Sequence, residues 1–100
     1  MEQETLANKI QGQVNSIDES GRLISDIPND QVADAPRDDS LSVKFGDHET
    51  VGLYPADHDQ PAATMVASLG NSGFVEIEIV GISLSEMLGI KKGETVTINW

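Results

Sequence analysis

Apolar and polar residues alternate along much of this chain in short runs broken by glycine turns, the period-two signature of half-buried strands. Ile10, Gly12 and Val14 share one face of a first strand, and Ile17 follows after a break in the period. Glu19-Ser20-Gly21 then turns the chain into a second strand at Arg22–Ile27. Gly21 supplies the positive φ that such a hairpin turn needs. Leu41–Phe45 alternates cleanly, Gly46-Asp47-His48 is a tight turn, and Glu49–Tyr54 returns as a strand. Thr64–Leu69 is a short apolar run closed by Gly70-Asn71-Ser72-Gly73. Phe74–Val80 is the strongest strand pattern, with Val75, Ile77 and Ile79 on one face. Phe74, Glu76 and Glu78 occupy the other face, which the pattern turns toward solvent or a partner.

One helix interrupts the strands. Ser83-Leu84-Ser85-Glu86 has the spacing of a capping box, and Gly89 is placed to end the helix. The pattern predicts a short helix near 83–89 with Leu84, Met87 and Leu88 as its buried stripe. A last strand over Glu94–Trp100 puts Val96, Ile98 and Trp100 on one face. Between strands, Pro28–Ser40 carries two prolines and four aspartates and reads as an unpacked loop with one helical turn at Asn29–Ala33. Pro55–Pro61 reads as a second polar loop. The fold expected is mostly β: a small antiparallel β-barrel or sandwich of six to seven strands with one short helix. Residues 1–9 form a polar lead-in, and residues 10–100 a single domain.

Composition narrows the functions. The net charge is −11. Residues 1–50 carry eleven acidic and four basic side chains, and residues 51–100 carry six and two. Such a surface repels nucleic-acid backbones and anionic membranes, and attracts cationic ligands or basic protein surfaces. Solubility alone is the plainer account of the charge. The chain has no cysteine, which excludes disulfides and thiolate chemistry. No apolar run approaches a membrane span, no hydrophobic signal region opens the chain, and a cytoplasmic location is expected.

Searches for chemistry return little. Gly70–Gly73 leads into a strand rather than a helix, so it lacks the amide array of a phosphate loop. His48 and His58 each sit between acids, as Asp47-His48-Glu49 and Asp57-His58-Asp59, yet neither spacing is that of a metal site. Both histidines are expected as solvated loop residues. Asp30, Asp34, Asp38 and Asp39 lack the alternation and closing Glu of a calcium loop. No serine lies in a nucleophile elbow.

Three stretches in order carry a resemblance. Gly12–Ile27, Leu69–Ile77 and Gly81–Val96 resemble successive segments of the C-terminal domain of the S-adenosylmethionine hydroxide adenosyltransferases, relatives of the fluorinating and chlorinating enzymes. The resemblance implies a small β-barrel that follows a larger α/β domain holding the catalytic aspartates. It also implies trimers, with S-adenosylmethionine held between one subunit's N-terminal domain and its neighbour's C-terminal domain. That α/β half has no counterpart in these 100 residues. The family's adenine-side Phe and Asn fall at Ser20 and Arg22, so the stacking ring and the amide are replaced. Base stacking on an aromatic ring contributes roughly 1–3 kcal/mol where it is known from nucleic acids. The family's Thr-Asn falls at Ser25-Asp26, and its Ser-Ser-Gly loop at Asn71-Ser72-Gly73. Val80 replaces a frequent Asn. The resemblance thus implies a non-catalytic interaction or oligomerisation module without catalytic residues, cofactor or metal. A weak adenosine or S-adenosylmethionine site at Ser20, Arg22, Ser25, Asp26, Asn71, Ser72 and Gly73 is the alternative. A third reading is half of an adenosyltransferase completed in trans. The expected partners are further copies of the chain, as a trimer, or a separate α/β protein.

Overall fold

The computed structural model describes residues 8–100. Most of the expected lead-in therefore lies outside the described residues. Asn8 exchanges backbone hydrogen bonds with Trp100, and Lys9 opens the first strand.

Eight strands follow: β1 (Lys9–Ile17), β2 (Leu23–Pro28), β3 (Ser42–Phe45), β4 (His48–Val51), β5 (Tyr54–Pro55), β6 (Met65–Leu69), β7 (Phe74–Ile79) and β8 (Thr95–Asn99). One helix, α1 (Leu84–Leu88), lies between β7 and β8. The strands form one curled sheet in the order β4-β3-β8-β1-β2-β7-β6-β5. Every pairing is antiparallel except the two-residue β5 against β6, which adds an eighth strand to the expected six or seven.

β1 joins the two halves of the sheet. Its first half pairs with β8 from Lys9↔Asn99 to Gln13↔Thr95, and its second half pairs with β2 from Val14↔Ser25 to Ile17↔Leu23. The register shifts between Val14 and Ser16. That irregularity is the break in hydrophobic period after Val14, and it bends the strand from one half-sheet into the other. The far edges approach each other, and the Thr50 hydroxyl on β4 donates to the Met65 carbonyl on β6 at 3.3 Å.

Inside the curl lie Val14, Leu23, Ile27, Val43, Phe45, Val75, Ile77, Ile79, Val96 and Ile98, all nearly or fully buried. Leu84 of α1 joins this core, while Leu88 is partly buried. Met87, expected in the buried stripe, points outward and is 61% exposed. One turn of helix buries one face, and Leu84 with Leu88 already fills it. The helix start follows the expected cap: the Ser83 hydroxyl accepts from the Glu86 amide, and Gly89 ends the helix at φ 68°.

The 28–40 segment is not the unpacked loop its composition predicts. Asn29–Val32 forms a 3-10 turn, and Val32 and Ala35 are buried with Leu41. Arg37 holds the segment closed by donating to the carbonyls of Val32 at 3.2 Å and Ala33 at 3.4 Å. Its aspartates stay at the surface, so the segment caps the barrel with two small apolar side chains and solvates the rest.

Candidate functional site

The alternation of β7 sends Val75, Ile77 and Ile79 into the core and Glu76 and Glu78 to the outer face. That outer face is not solvent. Glu76 is only 4% exposed and Glu78 is half-buried. Register explains their company: Ile24 of β2 lies opposite Glu76, so the residue just before β2, Arg22, is carried toward Glu78. The Arg22 guanidinium donates to Glu76 Oε1 at 3.1 Å and to Glu78 Oε1 at 3.4 Å. Glu76 Oε2 accepts from the Ser72 hydroxyl at 2.6 Å, and Glu78 Oε2 meets His58 Nε2 at 2.8 Å. A continuous polar chain thus runs Ser72–Glu76–Arg22–Glu78–His58 across the sheet. His58 is not the solvated loop residue expected; its side chain is 7% exposed.

Two glycines make room for this chain. A Cβ on Gly70 would collide with the Glu76 carboxyl, so the bare backbone there is what lets the carboxylate fold over the 70–73 turn. A Cβ on Gly21 would collide with Ser83, and Gly21 also sits at φ 84°. Gly21 therefore allows the β1–β2 turn to press on the start of α1, where its carbonyl accepts from the Ser85 amide at 3.1 Å.

Between that turn and the β7–α1 connection opens a cleft of about 410 Å³, lined by Ser20, Arg22, Glu78, Ile79, Gly81, Ile82 and Ser83. This is the size of a small-molecule site. The lining brings together the apolar Ile82, the hydroxyls of Ser20 and Ser83, and the Arg22–Glu78 pair. Burial pushes the Arg22 guanidinium toward losing its proton, but the charges of Glu78 and Glu76, the Glu76 hydrogen bond and Asp18 outweigh it, so Arg22 stays charged. Asp18 organises the turn: it accepts from the Ser20 amide at 2.9 Å, the Ser20 hydroxyl at 2.7 Å and the Arg22 amide at 3.0 Å. Burial raises its carboxyl, yet these bonds and the Arg22 charge hold it below the ordinary range. A carboxylate so stabilised is a poor base. The described residues contain no metal-ligand cluster of three or more groups. His58 is engaged with Glu78 and the Gln60 amide rather than with a hydroxyl.

The sequence-derived site residues divide. Ser20 and Arg22 line the cleft, and Ser72 reaches Arg22 through Glu76. Asn71 and Gly73 stand exposed in the neighbouring turn. Ser25 faces the core, donating to the Val75 carbonyl at 2.6 Å, while Asp26 faces out and accepts from the Gln13 amide at 2.9 Å. Those two therefore lie away from the cleft. Glu78, His58 and the Gly81–Ser83 wall did not emerge from sequence as one site. The alternating glutamates were the one available signal, and the cation that covers them is 54 residues from Glu76 and 56 from Glu78 in sequence.

No helix among the described residues is long and apolar enough to cross a membrane. Comparison with solved structures gives an uncharacterized conserved protein from Thermotoga maritima, 22% identical with a TM-score of 0.73, over 95% of this chain and 38% of that one. It also gives a conserved hypothetical protein from Thermus thermophilus, 25% identical with a TM-score of 0.70, over 88% of this chain and 34% of that one. This chain thus spans little more than a third of either. No curated protein matches it. Residues 12–97 match the model of the SAM hydroxide adenosyltransferase C-terminal domain, and the chain belongs to that family.

Proposed function

We propose that this domain is a non-catalytic binding and docking module, with its cleft forming one wall of a ligand site that a second protein surface completes. The observation that carries this reading is the cleft's open apolar rim. Ile82, in the wall, is 37% exposed, and Met87 is 61% exposed. The Met87 amide donates to the Ser83 carbonyl at 3.0 Å, so Met87 stands one helical turn above a cleft-lining residue, on the same face of α1. Apolar surface of this kind beside a polar cleft fits a partner surface. The partner is a further copy of the chain, as in a trimer, or an α/β domain.

The ligand side of the reading rests on charge. Arg22 and Glu78 line the cleft, and Glu76 lies behind Arg22, so two acidic side chains stand against one arginine here, which favours a cation such as a sulfonium. Ser20 and Arg22 stand where the family's adenine-side pair falls, so an adenosyl group is the body such a cation would carry. The test is an amide NMR titration with adenosine and then S-adenosylmethionine to several millimolar, alongside chromatographic assay for turnover. Shifts grouped at Ser20, Arg22 and Gly81–Ser83 without turnover are expected. Turnover by the pure chain would overturn the non-catalytic assignment, and a flat titration would remove the ligand while leaving docking, which sedimentation checks separately.

The match of residues 12–97 to an adenosyltransferase C-terminal domain supports a second reading, in which this domain completes an adenosyltransferase in trans. Turnover that appears only when a separate α/β domain is added would establish it.

A further inference from the structure

We infer that the cleft reads a neutral, planar aromatic ring, stacked on the guanidinium of Arg22. The nitrogens of Arg22 are committed or covered. Its two terminal nitrogens each face a carboxylate, Glu76 at 3.1 Å and Glu78 at 3.4 Å. Its Nε is buried and has no partner. Yet the side chain is 36% exposed and lines the cleft. The flat face of the group is the part left for a ligand to meet.

The surroundings set the plane of that group, at the expense of its own hydrogen bonding. An unpaired buried N–H is costly, and a freely turning guanidinium would satisfy it. Arg22 does not turn, because both carboxylates that hold it are themselves anchored. Glu76 Oε2 accepts from the Ser72 hydroxyl at 2.6 Å and from the Ser72 amide at 3.3 Å, and Glu78 Oε2 meets His58 Nε2 at 2.8 Å. Glu76 and the His58 side chain are nearly buried. A recognition group fixed in this way loses little freedom when a ligand arrives.

Charge selects the occupant of that face. Two carboxylates stand against the one guanidinium, so an anion meets repulsion as well as donors already in use. A ring that itself carries positive charge opposes the cation it lies on. A neutral aromatic ring does neither, because its electron-rich face attracts a guanidinium. Ile82, 37% exposed in the same lining, offers apolar contact to the rest of the ring. The hydroxyls of Ser20 and Ser83 are there for polar atoms on the ring or its substituents. The class is therefore a neutral heteroaromatic ring. This rests on the cleft being a ligand site, as proposed above, and adds the part of the ligand that Arg22 reads.

Side-chain NMR of the wild-type chain tests the stacking, with adenosine, nicotinamide and the saturated ring of cyclohexanecarboxamide as probes. Adenosine should move the Arg22 δ and ε protons upfield by ring current, together with the Gly81–Ser83 amides. Nicotinamide should shift the same protons, and cyclohexanecarboxamide should not. Arg22→Lys keeps a cation beside Glu76 but removes the plane, and adenosine should bind it about three- to tenfold more weakly. Shifts at Gly81–Ser83 with the Arg22 protons unmoved, or equal binding of the planar and the saturated amide, overturn the inference and leave the ligand site standing. A flat response to all three probes removes both. The ring-current readout comes from the wild-type chain, so it decides even where Arg22→Lys does not fold.

Discussion

At the scale of single residues, the polar chain shows how burial of charge is tolerated. Glu76 is nearly sealed from water, and its carboxyl oxygens accept from both Ser72 and Arg22. Removing a partly buried charged acceptor from two donors costs about 2 kcal/mol, less than a fully buried pair because Arg22 is 36% exposed. Gly70 offers a sharper test. It does not adopt a positive φ, so a methyl group there is opposed by contact with the Glu76 carboxyl rather than by backbone strain. Gly70→Ala alone should destabilise by about 1–3 kcal/mol. Glu76→Ala alone should cost about 2 kcal/mol. The double variant should cost clearly less than the two together, because shortening Glu76 empties the space the new methyl needs. Urea denaturation of the four proteins measures this coupling. Additive losses would mean that Gly70 is required for some reason other than the carboxylate above it.

At the scale of elements, α1 separates side chains that hold the fold from one left exposed. Its five residues cannot hold a helix by propensity, so the Ser83 cap and the buried Leu84 do so. Ser83→Ala should lower stability by about 1 kcal/mol, whereas Met87→Ser should stay within about 0.5 kcal/mol because its side chain is 61% exposed. Urea midpoints distinguish the two, and a large loss at Met87 would mean that its side chain belongs to the core. This helix also shows what local pattern can reveal. The cap, the glycine stop and the strand of alternating Val75, Ile77 and Ile79 are short-range features, and each was legible. Ser20 and Arg22, singled out through resemblance, both line the cleft. Burial of Glu76, Glu78 and His58 was not legible, because it depends on Arg22 arriving from another strand and on a loop folding over β6. Val32 and Ala35 were missed for a similar reason: four aspartates dominate their segment's composition, while two small side chains decide its packing. The parallel β5–β6 contact is two residues long and leaves no period to detect.

At the scale of the whole molecule, the net charge of −11 and the internal polar chain respond to salt in different ways. Most acids lie on exposed turns and loops, where they repel one another across the surface. At about 0.01 M salt that repulsion extends roughly 30 Å, the span of a small domain, and at about 0.5 M it is confined to close neighbours. The folded barrel brings these charges closer together than the unfolded chain does, so screening favours folding. The Arg22–Glu76 pair is shielded by protein and is screened far less. The urea midpoint of the wild-type chain should therefore rise between about 0.01 M and about 0.5 M sodium chloride, while the difference between wild type and Glu76→Gln stays nearly constant. A midpoint that falls with salt would show that attractive surface pairs, rather than repulsion, govern the charge balance. A Glu76→Gln difference that shrinks with salt would place the pair in contact with solvent. If both expectations hold, the acidic surface is a cost to the isolated domain that salt relieves, while the buried polar chain is held by contacts that salt does not reach.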